Sequence, residues 1–477
     1  MTDLRPLLLD LLLAGLALAI FVLDLAVPHG RKRMLGGMTG AGLAVLFGLS
    51  FVLDLDGTTM YGAYQGDAWV LYFKRLALAA GVLLSLGATD AVDRWFPNRQ
   101  GEFWLMALSS LLGMTILPGA RDLLLLVVCF ELMGLPLTVL AAFAKADDAS
   151  GPGRFAPEAG LKLYLVSAAS TAITLYGLSF LYGLSGTTRL DALAGLPPSP
   201  LMITGLVLVL AGMAFKIGVV PFHAWIPDTY QGASTPFVAF LSVAPKTTGF
   251  AALALVLLVG FGGRTALWQP LLVLLLVASM LIGNLLALPQ KDLKRLLGYS
   301  GIAQVGYVLM GLLTADAYGL GLLLFYLAAY LFSNVGVFLV LQGLAPDRSE
   351  ITLDAVRGLA RRSPRLALAL LAGLLSLAGI PFVVGFWAKL WIFMAAYRAG
   401  HVELVLLGAL MSIVSLFYYL QIARAAYMDE PVETAPVAFD RGVEAAVFVC
   451  FAMVVVMGLV PAPFLDQAMA AARALVG

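Results

Sequence analysis

Four ionisable residues lie within long apolar runs of this sequence: one glutamate and three lysines. Glu131 lies between LLLLVVCF and LMGLP, and Lys216 follows VLVLAGMAF. Lys246 lies within FLSVAPKTTGF, and Lys389 lies within VGFWAKLWIF. A charge at the centre of a bilayer costs about 2.5–3.5 kcal/mol on insertion scales, so such residues are rare and usually functional. We therefore expect these side chains to face the protein interior, a partner charge or water.

Acid–base chemistry is what such residues could perform. Burial makes a lysine release its proton more readily, whereas a nearby carboxylate stabilises the protonated form. We predict that Glu131 and Lys216 form a switchable pair and that Lys246 and Lys389 extend a proton relay from it. Gaps in the relay would need water or polar side chains. The candidate connectors in the sequence are Ser242, Thr247, Thr248, Tyr299 and His223, whose imidazole titrates near physiological pH.

Each candidate also has a structural interpretation. Glu131 and Lys216 could form a static ion pair, and Lys246 and Lys389 could extend along the helix to reach the membrane surface. The remaining basic candidates have surface or interfacial alternatives. These are His223, beside Pro221 and Trp225; Lys162, at the start of an apolar run; and Lys291, Lys294 and Arg295, which could be anchors on the cytoplasmic side.

The overall composition indicates a membrane protein. The chain has 477 residues, of which 61% are hydrophobic and 12% charged, whereas a soluble domain is roughly a quarter charged. The net charge of +1, without a basic block, argues against a nucleic-acid partner. Cys129 and Cys450 both lie in apolar runs, which suggests neither a disulfide framework nor a metal site. No phosphate-binding loop, zinc spacing or dinucleotide fingerprint occurs, so we expect no cofactor in this chain.

Hydropathy predicts an all-α polytopic protein with about 14 transmembrane helices. The first apolar run is interpreted as a retained span, since it lacks the features of a cleaved signal peptide. Pro118, Gly119, Arg121 and Asp122 predict a break between the fourth and fifth spans. The predicted cores are residues 7–27, 34–55, 68–90, 103–119, 122–143, 160–183, 201–222, 235–260, 268–288, 296–313, 318–344, 365–396, 402–427 and 443–463.

Basic residues concentrate in the loops after the first, fifth, ninth and eleventh spans. They are Arg31, Lys32, Arg33, Lys145, Arg154, Lys291, Lys294, Arg295, Arg348, Arg357, Arg361 and Arg362. Such loops face the cytoplasm by the positive-inside rule. Both termini are then predicted on the opposite, periplasmic side. Lys74 and Arg75 run against this pattern.

Two predicted spans contain a proline with a lysine nearby. Pro221 follows Lys216 in GVVPF, and Pro381 precedes Lys389 in GIPF. Proline removes a backbone donor, and the carbonyls that it frees must find partners in protein or water. Two interrupted spans at corresponding positions are typical of inverted-repeat transporters with a midplane ion site. A tolerated proline kink is the alternative.

Two longer motifs resemble a known family. PFHAWIPDTYQGASTP (221–236) and KDLKRLLGYSGIAQVGY (291–307) resemble the signatures of antiporter-like membrane subunits. Such subunits occur in respiratory complex I, the proton-pumping NADH:quinone oxidoreductase, and in Mrp-type sodium/proton antiporters. The glutamate of FELMGLP and the lysine of AGIPFVVGFWAK complete the pattern. The resemblance covers nearly the whole chain and is clearest over residues 100–425.

Within this family, the tyrosine of PDTYQGAS and the lysine at position 389 are most similar to the subunit N branch of complex I, called subunit 2 in mitochondria. The run Ala233-Ser234-Thr235 departs from the more usual Ala-Pro. The resemblance implies that Glu131 and Lys216 are the pair of the fifth and seventh helices. It implies that Lys246 and Lys389 are the lysines of the eighth and the broken twelfth helix. Lys162, His223 and Tyr299 match further positions of the polar axis.

The resemblance also implies an architecture: flanking spans in residues 1–100, two inverted five-helix units in 101–262 and 263–428, and a C-terminal span in 429–477. The implied function is redox-driven proton translocation in a bacterial cytoplasmic (inner) membrane. NADH, FMN, iron–sulfur clusters and quinone are expected in partner subunits. The expected partners are antiporter-like subunit M, small membrane subunits, the peripheral redox arm and lipids. A subunit of an Mrp-type antiporter, a membrane subunit of an energy-converting hydrogenase and a scaffold without its own proton path are the alternatives.

Overall fold

Helices make up nearly all of the regular structure. The computed structural model describes residues 3–144, 153, 155–344, 350–432, 437 and 439–477. The helices are α1 (Leu8–Ala26), α2 (Arg33–Leu49), α3 (Ala68–Trp95), α4 (Gln100–Ile116), α5 (Leu123–Ala142), α6 (Ala156–Ser185), α7 (Pro200–Ile217), α8 (Trp225–Gly232), α9 (Thr235–Leu241), α10 (Ala244–Ala254), α11 (Thr265–Ala287), α12 (Leu293–Leu309), α13 (Ala317–Leu344), α14 (Leu353–Val356), α15 (Leu359–Arg362), α16 (Pro364–Ala378), α17 (Val384–Arg398), α18 (Val402–Tyr427), α19 (Arg441–Leu459) and α20 (Ala462–Val476). A short hairpin pairs β1 (Gly57–Thr59) with β2 (Tyr64–Gly66) in antiparallel register.

The predicted all-helical membrane architecture is confirmed. Within the described residues, 11 helices are long and apolar enough to cross a bilayer, and α2 and α16 are shorter apolar helices. Every predicted span core overlaps a helix. The count of about 14 crossings stays a prediction, as do the domain boundaries and the orientation of the termini. Three of the basic residues used to predict orientation, Lys145, Arg154 and Arg348, lie outside the described residues.

The predicted break between the fourth and fifth spans is also present. Helix α4 ends at Ile116, and α5 begins at Leu123. Asp122 caps the new helix, because its carboxylate accepts hydrogen bonds from the backbone N–H groups of Leu124 (2.8 Å) and Leu125 (3.2 Å). These groups have no partner within the helix, so the cap stabilises its first turn.

Both proline-containing spans are broken, as predicted. Helix α7 ends before Gly218, which has φ 78°, and α16 ends before Gly379, which has φ 87°. Only glycine adopts this left-handed conformation without a steric penalty, so it ends each helix cleanly. The chain passes Pro221 and Pro381 before it re-enters helices α8 and α17. Each broken span therefore presents the carbonyl end of a half-helix inside the protein.

The span predicted over residues 235–260 has an interruption that hydropathy does not reveal. It consists of α9 and α10, separated at Ser242 and Val243, and a π-helical turn over Leu255–Gly260 follows. Pro245 lies in the first turn of α10, where its missing N–H has no cost. Lys246 therefore lies at the start of a half-helix rather than in mid-helix.

Helix α13 occupies the centre of the fold. It packs against α9, α16, α17, α19 and α20 and is buried along almost its whole length. Its side chains therefore contact protein rather than lipid. This position allows a span to carry the buried polar residues Tyr326, Tyr330, Ser333 and Asn334.

The flanking helices contain two features that the hydropathy and loop-charge patterns did not predict. Lys74 belongs to α3, where it is fully buried and forms an ion pair with Asp10 of α1. Lys74 therefore does not belong to a loop and carries no information on orientation, because its charge is paired with a carboxylate on the neighbouring helix. Helix α20, which was not predicted, buries Ala468, Ala471 and Ala472 and packs against α13 and α3.

Candidate functional site

Glu131 and Lys216 face each other between helices α5 and α7. The distance from Lys216 Nζ to Glu131 Oε1 is 4.0 Å, at the outer limit of an ion pair. The hydroxyl of Thr171, on α6, donates to the same Glu131 oxygen at 2.6 Å. Lys216 Nζ in turn donates to Ser167 Oγ at 3.3 Å. Each member of the pair therefore keeps a hydrogen-bond partner when the two separate, which is what a switchable pair requires.

The two charges differ in exposure. The side chain of Lys216 is 8% exposed and that of Glu131 is 31% exposed. At 4 Å, two unit charges attract each other by about 4 kcal/mol at an effective dielectric constant of about 20. A hydrogen bond to a charged group contributes about 1.5–3 kcal/mol. The hydrogen bonds of Thr171 and Ser167 can therefore offset a large part of the attraction that is lost when the pair opens.

One cavity contacts both Lys216 and Lys246. It offers about 30 Å³ to the centres of water molecules, and a water needs at least 10–15 Å³ of such volume. The cavity therefore has room for about two waters between the two ammonium groups. Its lining residues are Met133, Gly134, Leu137, Thr138, Leu163, Ser167, Phe215, Lys216, Trp225, Leu241, Pro245 and Lys246.

Lys246 is the most isolated of the three lysines. Its side chain is 1% exposed, and its Nζ has no hydrogen-bond partner among the described residues. The Nζ lies 5.6 Å from the centre of the Tyr230 ring. The hydroxyls of Tyr230 and Tyr330 are also buried without a described partner. Leaving such a group unsatisfied costs about 1–3 kcal/mol, so water or a proton acceptor is expected between them.

A hydrogen-bonded network connects helices α12, α13, α16 and α18. The side-chain amide of Gln304 donates to Tyr419 OH at 3.2 Å and to the Leu377 carbonyl at 2.9 Å. Tyr326 donates to Gln304 Oε1, and Ser300 shares a hydrogen bond with Tyr419. Because Leu377 lies in the last turn of α16, the network reaches the break at Gly379.

Lys389 binds the end of that half-helix. Its Nζ donates to the Ala378 carbonyl at 2.9 Å and lies 4.9 Å from the centre of the Tyr307 ring. The last carbonyls of a helix lack partners and carry partial negative charge. The break at Pro381 therefore creates a cation site, and Lys389 occupies it. Lys216 differs from Lys389 in this respect: it precedes the break in its span, lies in the last turn of α7 itself and points to Ser167 and Glu131.

The polar residues predicted to connect the relay lysines form no hydrogen bond to those lysines among the described residues. Thr247 and Thr248 donate to carbonyls of their own chain segment, at 3.0 and 3.2 Å. Tyr299 is half-buried and has no hydrogen bond to the described residues. His223 is half-buried in the turn after α7, and its Nδ1 is likewise without a described partner. Ser242 accepts from Asn334 at 2.7 Å, near the start of α10.

Lys162 lies in a separate ionic cluster at the surface. Its Nζ binds Asp228 at 2.7 Å and Glu158 at 2.6 Å, and its side chain is 42% exposed. Arg295 binds the other oxygen of Asp228 at 2.5 Å. Burial alone would raise the pKa of Asp228, but the hydrogen bonds from Lys162 and Arg295 prevail and hold that pKa below its ordinary value. The cluster borders a cavity of about 190 Å³.

This cluster anchors helix α8, the short helix that follows the break at Pro221. Asp228 belongs to α8, and the buried Lys294 donates to the Ala233 carbonyl that follows the helix, at 3.1 Å. Lys294 and Arg295, interpreted from the sequence as surface anchors, thus hold α8 in place. Among the described residues, no group of three or more His, Cys, Asp or Glu side chains could hold a metal ion.

The residues that sequence reasoning missed are uncharged. They are Ser167, Thr171, Ser300, Gln304, Tyr326, Tyr330 and Tyr419. Two signals were available: Ser300 and Gln304 are four residues apart on α12, and so are Tyr326 and Tyr330 on α13. Residues at this spacing share one helix face.

Comparisons with known proteins agree on one family. Residues 120–415 match the family model described as "NADH:quinone oxidoreductase/Mrp antiporter, TM". A protein of Moorella thermoacetica named NADH-quinone oxidoreductase subunit N is 38% identical over 474 residues, and the alignment covers 98% of each chain.

Solved structures share the fold. A chain of respiratory complex I from Thermus thermophilus with bound aureothin superimposes with a TM-score of 0.82 at 34% identity, over 96% of this chain and 99% of that one. A chain of the Mrp complex from Dietzia sp. superimposes with a TM-score of 0.84 over 100% of both chains. Its identity is only 22%, so it shows the shared fold alone.

Proposed function

Because the chain belongs to the family of NADH:quinone oxidoreductase and Mrp antiporter membrane subunits, we propose that it moves protons across a bacterial membrane as a subunit of an NADH:quinone oxidoreductase. Two observations support the proposal. One cavity borders both Lys216, the partner of Glu131, and Lys246. A separate hydrogen-bonded network reaches the last turn of α16, the helix whose end binds Lys389. The subunit N relatives, which align over nearly the full length, favour the oxidoreductase over the antiporter.

The relay begins at the Glu131–Lys216 pair. When the pair opens, Glu131 keeps the hydrogen bond from Thr171, and Lys216 keeps its bond to Ser167. Without the nearby carboxylate, the Lys216 ammonium holds its proton less tightly. The proton then passes through water in the shared cavity to Lys246. No covalent intermediate forms, because each step moves a proton between a nitrogen and an oxygen.

From Lys246 the proton continues towards Lys389. Tyr230 and Tyr330 are the nearest hydroxyl groups with unused hydrogen-bonding capacity, and the Gln304 network leads on to α16. The Ala378 carbonyl stabilises the ammonium form of Lys389. Release from Lys389 to the far side completes the transfer. His223 and Lys162 remain candidates for proton uptake, since both lie nearer the surface than Lys246.

The energy comes from partner subunits in this proposal. NADH, FMN, iron–sulfur clusters and quinone bind there, and this chain acts as a translocase without a cofactor of its own. Its partners are antiporter-like subunit M, small membrane subunits, the peripheral arm and lipids. The support is the likeness to a chain of respiratory complex I. Both termini are placed on the periplasmic side because the basic loops are expected in the cytoplasm.

The test is Lys216→Ala in the assembled complex, reconstituted in sealed vesicles. We expect normal assembly, slower NADH oxidation under coupled conditions and reduced proton uptake per NADH. Lys291→Ala is the control, since Lys291 is an exposed lysine that precedes α12 and lies outside the proposed relay. A scaffold without a proton path predicts the opposite result: less complex, with normal pumping by each complex that forms.

A further inference from the structure

Two glycines lie directly against the ammonium groups of the relay. A Cβ atom built on Gly301 of α12 would lie 3.0 Å from Lys246 Nζ and 2.9 Å from the Tyr330 hydroxyl. A Cβ atom built on Gly134 of α5 would lie 3.2 Å from Lys216 Nζ and 3.8 Å from Ser167 Oγ. Non-bonded heavy atoms prefer a separation of about 3.5–4.0 Å. A methyl group at either position would therefore displace the ammonium group beside it.

We propose that Gly134 and Gly301 are positioning residues of the proton relay. Each leaves bare helix backbone against which a lysine ammonium rests, and so fixes the distance from that ammonium to its next proton partner. The inference rests on the proposed function and deepens it. It assigns a role to two residues that carry no polar side chain and cannot themselves move a proton.

At Gly301, two proton-carrying groups meet at one point. Lys246 Nζ and Tyr330 OH are both buried and lack a hydrogen-bond partner among the described residues. Since both lie near one Cβ position, they are at most about 6 Å apart, a gap that a single water can bridge. An alanine methyl would occupy this meeting point and push the two groups apart.

At Gly134, the glycine borders the cavity that joins Lys216 to Lys246. Lys216 Nζ and Ser167 Oγ are 3.3 Å apart, and both face the missing side chain. A methyl group would reduce a cavity that has room for only about two waters. Gly134 therefore controls both the position of Lys216 and the space through which its proton leaves.

Other glycines of the same helix provide matched controls. A Cβ on Gly298 would make ordinary contacts of 3.4 Å with Ile226 and Tyr230. A Cβ on Gly306 would lie 2.8 Å from Met280 Cγ and 2.9 Å from the Leu276 carbonyl, so it would clash with the backbone of α11 without a lysine nearby. Alanine is favoured over glycine inside a helix by about 0.5–1 kcal/mol. Any harm from alanine must therefore come from what the methyl touches.

The test compares Gly301→Ala with Gly298→Ala and Gly306→Ala in the assembled, vesicle-reconstituted complex. We expect Gly301→Ala to assemble and to slow coupled proton pumping about threefold to tenfold, since small misplacements of reacting groups have large effects on rate. Its pH–rate profile should shift, because the displaced ammonium meets different partners. Gly298→Ala should pump normally. Gly306→Ala should affect stability without moving the pH profile.

Tyr330→Phe keeps the ring and removes the hydroxyl. It therefore tests the proton path beside Gly301 even if Gly301→Ala fails to assemble. We expect Tyr330→Phe to slow pumping and the double variant to be no slower than the worse single variant. For Gly134→Ala we expect a similar decrease, with Gly183→Ala as control, since nothing lies within 4 Å of a Cβ at Gly183.

The inference and the proposed function fail in different ways. If Lys246→Ala stops pumping while Gly134→Ala and Gly301→Ala pump normally with unchanged pH profiles, the positioning role is wrong and the relay stands. Normal pumping by Tyr330→Phe would show that no proton passes between Lys246 and the Tyr330 hydroxyl beside Gly301. If Lys246→Ala itself pumps normally, the relay is wrong.

Discussion

Thr171→Val tests the balance within the Glu131–Lys216 pair. The substitution removes a hydroxyl that donates to Glu131 at 2.6 Å and changes the side-chain shape little. The lost bond, to a charged acceptor, is worth about 1.5–3 kcal/mol. Because this hydrogen bond supports the open arrangement of the pair, its loss should shift the equilibrium towards the closed ion pair. A shift of 1.4 kcal/mol is about a tenfold change in an equilibrium constant, so we expect the ratio of open to closed pairs to fall by about tenfold or more.

The assay is the rate of coupled proton pumping by the reconstituted complex, with complex content measured in parallel. We expect normal assembly and pumping that is slowed by about fivefold or more, because a tenfold fall in the open-to-closed ratio from near one lowers the open fraction by about that factor. Thr204→Val is the matched control, since the Thr204 hydroxyl donates to a carbonyl of its own segment, Pro200, at 2.9 Å. Unchanged pumping by Thr171→Val would refute the reasoning that Thr171 competes with Lys216 for Glu131.

Three further predictions follow from other parts of the molecule. Lys389→Met should assemble but lose coupled pumping, because the carbonyl end of α16 loses its cation; normal pumping would remove Lys389 from the relay. Asp228→Asn should lower the melting temperature at pH 7, and the difference from the unmodified chain should shrink below about pH 4, since the depressed pKa of Asp228 stabilises the fold only above that range; a difference that is constant with pH would contradict this. Lys74→Met should reduce assembly, because an unpaired buried Asp10 costs about 3–5 kcal/mol, and adding Asp10→Leu should restore most of it; equal assembly of the single and double variants would show that the pair is not the cause.

The charged part of the site could be predicted from sequence because its signal is local. A glutamate or lysine surrounded by apolar residues is costly in a membrane, so its presence alone marks a role. This signal identified Glu131, Lys216, Lys246 and Lys389, and the breaks at Pro221 and Pro381 followed from backbone chemistry. The structure pairs Glu131 with Lys216 and docks Lys389 on the end of α16.

The uncharged part could not be predicted in this way. Ser300, Gln304 and Tyr419 cost less to bury than a charge and are unremarkable in a span, since helix backbone can satisfy them. Their role depends on which faces of α12, α13 and α18 meet, which is a tertiary arrangement. Lys162 shows a related limit, because the sequence did not reveal that Asp228 and Glu158 bind it near the surface.

Three other features of the fold could not be predicted from the sequence either. The break between α9 and α10 gives little hydropathy signal, since apolar residues continue through it, and only Pro245 marks it. Helix α20 is amphipathic, so a search for uniformly apolar spans overlooks it. The pairing of Lys74 with Asp10 joins residues 64 positions apart, which charge counting along the chain cannot detect.

In the proposed function, protons cross this chain through Lys246, whose helix lies between the two broken spans in the sequence. The most direct test is the number of protons moved per NADH oxidised by complexes carrying Lys246→Ala, measured in sealed vesicles against the unmodified complex. A relay through Lys246 predicts a lower ratio in fully assembled complexes. An unchanged ratio, with normal assembly and normal NADH oxidation, would contradict it.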